Sequence, residues 1–125
     1  MHYDEFIHKV REYSGLDSFD EAVKITTATL ETLGERLSRD EKDDISSQLP
    51  KELKDCLFRR EEITRFIIDE FYNRVSARAD VGLPHAIEQA KAVIRVLREA
   101  ISPGELEHIL HELPKEYDEL FGKRG

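Results

Sequence analysis

The stretch Leu49-Pro50-Lys51-Glu52 comes back unchanged as Leu113-Pro114-Lys115-Glu116, 64 positions further on. At the same offset Leu33, Glu35, Ser38, Glu41 and Ile45 return as Leu97, Glu99, Ser102, Glu105 and Ile109. Near the start the offset becomes 65, and Asp4-Glu5-Phe6 and Val10 return as Asp69-Glu70-Phe71 and Val75. The one-residue difference falls in the turn after the first helix, where length changes are tolerated. The chain therefore reads as an internal duplication, with copies from about Tyr3 to Leu57 and from Ile68 to Phe121. Two copies are too few for a solenoid, which needs roughly three or more. A unit of this size buries only about 60% of its unfolded surface when alone. Cys56, the sole cysteine, allows no disulfide to compensate. One shared core is expected: a single all-α domain over residues 1–125, built from repeats 3–57 and 68–121.

Serine, proline and glycine punctuate the helices. Ser18-Phe19-Asp20-Glu21, Ser38-Arg39-Asp40-Glu41 and Ser102-Pro103-Gly104-Glu105 have the Ser-x-x-Glu form of a capping box, in which each side chain bonds the other's free amide. Tyr3, Phe6, Ile7 and Val10 share one helical face, and Gly15 suits the left-handed position just past its end. Phe19, Ala22, Val23, Thr26, Leu30 and Leu33 make the stripe of a second helix. Pro50 and Pro114 start short helices that run to Phe58 and Phe121. The join Phe58-Arg59-Arg60-Glu61-Glu62 contains no Gly or Pro, so the fifth helix is expected from Glu61 to Ala79. The sixth opens at Leu83-Pro84, with a stripe of Ala86, Ala90, Val93, Ile94 and Leu97. No segment alternates with the period of a strand. The fold class is all-α: two four-helix repeats packed into one bundle.

The net charge of −8 disfavours nucleic acid as a partner, because an acidic surface repels phosphate. Hydrophobic residues at 39% in periodic order argue for folding despite 37% charged residues. The acidic opening Met1-His2-Tyr3-Asp4-Glu5 lacks the basic start of a signal peptide. No apolar run approaches the roughly 20 residues of a membrane span, so a cytoplasmic, membrane-free protein is expected.

Several side chains bear chemistry. His108 and His111 are close to one face of the seventh helix, where Glu105 and Glu112 can join them as nitrogen and oxygen ligands to a metal such as zinc. Their counterparts in the first copy, Asp44 and Ser47, imply no paired site, and a solvated polar face is the default. Asp4-Glu5 and Asp69-Glu70 are repeated carboxylates, but neighbours on a helix diverge by about 100° and do not share a proton. With the fifth helix starting at Glu61, the second pair falls mid-helix, and a cap or ion pair to the other copy is the better expectation. Cys56 corresponds to Leu120 and is expected as a small buried hydrophobe. Lys51, Lys54, Arg59, Arg60 and Arg65 cluster around the join, as a solvated face or as a patch for an acidic partner or nucleic acid. Ile63, Phe66 and Ile67 have no counterpart before Tyr3. They form a surplus apolar face that either clamps the halves or binds a second molecule. In the repeated Leu-Pro-Lys-Glu, Leu and Pro serve packing, while the recurring Lys-Glu exceeds what packing requires.

Taken together, Tyr3-Asp4-Glu5-Phe6, Leu33-Gly34-Glu35-Arg36-Leu37-Ser38, Gln48-Leu49-Pro50 and Leu97-Arg98-Glu99-Ala100-Ile101-Ser102 resemble the bacterial and archaeal family catalogued as domain of unknown function 2267. The resemblance continues through Gly104-Glu105-Leu106 and Leu113-Pro114-Lys115-Glu116-Tyr117 to Leu120-Phe121. Some members carry a Trp-containing join, where this chain has Arg59-Arg60-Glu61-Glu62 and no Trp. The resemblance implies a small soluble helical protein and brings no catalytic residues. With no phosphate loop, no Cys-x-x-Cys and no nucleophile elbow, the expected function is a non-enzymatic protein-interaction module without cofactor, engaging a protein partner or a second copy through Ile63, Phe66 and Ile67. The alternatives are a metal-binding domain or enzyme at Glu105, His108 and His111, and a nucleic-acid-associated regulator using the basic join 51–65.

Overall fold

Serine hydroxyls start three of the helices. In the computed structural model, which describes residues 1–60 and 64–122, the Oγ atoms of Ser18, Ser38 and Ser102 accept from the backbone N–H of Glu21, Glu41 and Glu105. The helices are α1 (Tyr3–Ser14), α2 (Phe19–Gly34), α3 (Arg39–Ser46), α4 (Lys51–Lys54), α5 (Ile68–Ala79), α6 (Leu83–Ala100) and α7 (Pro103–Glu112). Two 3-10 turns, η1 (Asp55–Phe58) and η2 (Lys115–Glu119), follow α4 and α7. There is no strand among the described residues, and the fold is an all-α bundle. No helix among them is long and apolar enough to cross a membrane.

The core forms where the long helices cross. α1 lies on α2 and α6, α5 lies on α6 and α2, and α3 lies on α7. Phe6, Ile7 and Val10 of α1 and Phe71 and Val75 of α5 are fully buried, as are Leu30, Leu33, Ile94 and Leu97 of the helices they face. Gly34 marks the tightest approach: a Cβ there would lie 2.1 Å from the carbonyl oxygen of Leu57. Cys56 is buried, and burial raises its thiol pKa.

Three expectations about the elements need correction. α5 begins at Ile68, not at Glu61. The N–H of Thr64 donates to the carbonyl of Glu35 (2.9 Å), and the carbonyl of Phe66 accepts from the Tyr117 hydroxyl (2.6 Å). Both backbone groups are thus committed to distant residues and not to a helix ladder. Consequently Asp69-Glu70 sits in the first turn of α5, as Asp4-Glu5 does in α1. Both carboxylate pairs occupy the positive end of a helix dipole. Finally, the proline-started segments do not continue as α-helix: Pro50 leads to one α-turn followed by η1, and Pro114 leads directly to η2.

The repeated Lys-Glu has a structural use in its second occurrence. Glu116 accepts from the N–H of Ile68 (2.8 Å) and so caps α5 from outside the helix. The first occurrence, Lys51-Glu52, lies in a cleft beside Tyr3 and Asp4, at the start of α1.

Candidate functional site

α3 and α7 lie antiparallel, each holding the other's start. At the end of α7, Glu112 accepts from both the N–H and the hydroxyl of Ser38 (2.9 and 2.7 Å). Just past α3, Gln48 accepts from the N–H of Ser102 (2.6 Å). In a capping box these two amides would be taken by Glu41 and Glu105 themselves. Here only half of each box forms, and both glutamate side chains are released from capping.

The released side chains meet. Glu41 and Glu105 are 3% and 8% exposed, and each has an Oε1 with no hydrogen-bond partner. Burial, then the hydrogen bond with Glu105, then the negative charges of Glu105, Glu112 and Asp44 push the Glu41 carboxyl up to about 8. All of these causes favour the protonated form of the Glu41 carboxyl. His108 follows Glu105 by three residues and is exposed at the rim. One donor atom from each of Glu41, Glu105 and His108 lies within 4.8 Å of the others. No other trio of His, Cys, Asp or Glu among the described residues approaches so closely.

The structure thus brings together two of the metal candidates and adds a third. Glu105 and His108 are in the trio; His111 is exposed and outside it. The helix explains the split, because about 100° per residue puts His108 some 60° from Glu105 and His111 some 120° from it. Glu112 is engaged by Ser38. Glu41 was not foreseen, although it is the offset-64 counterpart of Glu105. Comparing the histidines with Asp44 and Ser47 pointed away from it.

The apolar candidates part company. Ile63 lies outside the described residues. Phe66 is buried at 8% exposure, stacked on Phe71 (6.5 Å between ring centroids), with the Arg74 guanidinium 4.0 Å from its ring centre. Ile67 points outward at 58% exposure. In the basic join, Arg59 and Arg60 pair with Glu31 (3.3 and 3.5 Å), which neutralises part of that patch.

Elsewhere, polar networks link α2 to α5 and α6 to α1. Glu35 is buried between Arg74 (2.9 Å) and Arg78, while Glu99 binds Lys9 (2.7 Å) and the Tyr13 hydroxyl (2.6 Å). The hydrogen bonds from Lys9 and Tyr13 hold the Glu99 carboxyl below its ordinary range. These groups are saturated and leave no free donor set for a ligand.

A search of curated proteins finds no match to this chain. The family model described as "Uncharacterized conserved protein (DUF2267)" matches residues 3–120, and the chain belongs to that family.

Proposed function

We propose that this protein is a cation-binding helical module in which one divalent d-block ion is held between α3 and α7 by Glu41, Glu105 and His108. The observation that carries it is the convergence of two buried glutamates from different helices, each with an unpartnered oxygen, on one imidazole. Two carboxylates taken out of water repel each other and are tolerated only with a proton or a cation between them. Zinc accepts mixed nitrogen and carboxylate ligands, whereas calcium asks for about six to eight oxygens. Donors of a tetrahedral zinc site stand about 3.4 Å apart, and the three donor atoms here already lie within 4.8 Å of one another, with His108 exposed and able to adjust.

The same observations support one domain built from repeats 3–57 and 68–121. Glu41 and Glu105, Gln48 and Glu112, and Ser38 and Ser102 are pairs at one offset, and each pair meets or is exchanged across the α3–α7 contact. The ion then ties one copy to the other. A second reading keeps the module as a protein-interaction or self-associating domain. The exposure of Ile67 beside the buried Phe66 favours it. Ile67→Asp, with unchanged sedimentation and unchanged partner capture, counts against that surface.

The metal reading is tested by titrating chelator-stripped protein with Zn²⁺, Mn²⁺ and Fe²⁺. Saturation at one ion per chain is expected for at least one of them. Glu41→Gln, Glu105→Gln and His108→Ala each weaken it by at least the roughly tenfold that losing an outer-shell partner of a metal ligand costs. His111→Ala binds as the parent does. Absence of binding and of any thermal shift leaves the two glutamates as a proton-sharing pair only.

A further inference from the structure

A cleft beside Ser38 is lined by residues outside the Glu41–Glu105–His108 trio. Arg36, Ser38, Arg65, Glu112, Leu113 and Pro114 line this cleft of about 450 Å³. Arg36 is only 7% exposed. Its guanidinium lies over the rings of both Phe66 (5.5 Å) and Tyr117 (5.2 Å). Its Nε donates to the Tyr117 hydroxyl (3.2 Å), which in turn donates to the Phe66 carbonyl. Stacked by two aromatic faces and pinned at Nε, Arg36 lines the cleft with its remaining N–H groups uncommitted among the described residues. They have no acceptor, and Arg36 has no carboxylate partner, among the described residues. The contrast is with Glu35 next to it, whose charge is matched by Arg74 and Arg78. Arg65, exposed at the rim, makes no ion pair among the described residues either.

We infer that this cleft binds a small oxyanion, a phosphate or carboxylate group, gripped by the free edge of Arg36 and by Arg65. A buried guanidinium without an anion is costly, and one held rigid in advance loses little freedom on gripping two oxygens side by side. One carboxylate of the chain lines the cleft: Glu112, held there by the N–H and hydroxyl of Ser38. It forms no salt bridge to Arg36 or Arg65, and among the described residues neither guanidinium group has a carboxylate partner. The proposal does not depend on the metal, since neither arginine belongs to that trio.

The test is calorimetric titration of the full chain with inorganic phosphate and, separately, acetate, each against sodium chloride at equal ionic strength. One anion per chain is expected for at least one probe, and the probe that binds tells phosphate from carboxylate. Arg65→Gln, a surface change that leaves folding intact, weakens binding about ten- to a hundredfold, the worth of a charge-assisted hydrogen bond. Arg36→Lys keeps the charge and loses the fork, and weakens it likewise. No heat beyond the chloride control with either probe overturns the proposal. So does binding that survives Arg65→Gln and Arg36→Lys in folded protein.

Discussion

At the scale of single residues, Glu41 carries the most chemistry. Its carboxyl is raised to about 8 from an ordinary value of 4.5 by burial and by Glu105. Between those values the folded chain binds more protons than the unfolded one. The stabilisation is therefore fully present below about pH 4.5 and is lost as pH rises through 8. In chelator-treated protein, urea denaturation is expected to show stability falling from pH 5 to pH 8, by at most about 1.4 kcal/mol per pH unit. Glu41→Gln flattens that slope; an unchanged slope would show that other groups set it. Gly34 is the other residue with a sharp consequence. A methyl group there meets the Leu57 carbonyl oxygen at 2.1 Å, where only backbone movement gives relief. Gly34→Ala is expected to destabilise by about 1–3 kcal/mol or more, read from the same urea curves. A loss under half of that means η1 shifts freely away from α2.

At the scale of elements, the start signals were legible and the long-range substitutions for them were not. Ser18, Ser38 and Ser102 each open a helix where the Ser-x-x-Glu spacing places it. Gly15 takes the left-handed end of α1. What local pattern does not convey is that a remote group can replace a local one. Glu112 takes the Ser38 amide expected for Glu41, and Gln48 takes the Ser102 amide expected for Glu105. Tyr117 and Glu35 likewise capture the backbone of residues 64–66, so α5 starts late. Two of the three candidate ligands, Glu105 and His108, are visible on one helix; Glu41 emerges only once α3 and α7 are side by side. Cross-capping has its own signature. Gln48→Ala and Glu112→Ala are each expected to cost about 1 kcal/mol, the usual worth of a lost cap. Ser102 keeps its own hydroxyl cap in the first variant and Ser38 in the second. Thermal unfolding of the two variants checks this, and a loss indistinguishable from zero in both would mean solvent serves those amides equally well.

For the whole molecule, α1 rests on α6 and α5 on α2, so each half of the chain covers the other's long helix. Neither half is expected to fold alone. Residues 1–60 and residues 64–125 made separately should show little helix by circular dichroism, and an equimolar mixture should regain part of it. A half that unfolds cooperatively by itself would mean two cores and not one. Such an interlocked bundle also explains why a site built from both halves is closed on one side and open on the other. Its glutamates are buried by the α3–α7 contact, while its histidine stays at the surface.

The most direct measurement is anomalous diffraction from crystals grown with Zn²⁺ or Mn²⁺. We expect one strong peak per chain between α3 and α7, bonded to Glu41, Glu105 and His108 at about 2.0–2.2 Å. A map with no peak there, and with the Glu41 and Glu105 carboxyl groups still joined to each other, would contradict a cation-binding role for this protein.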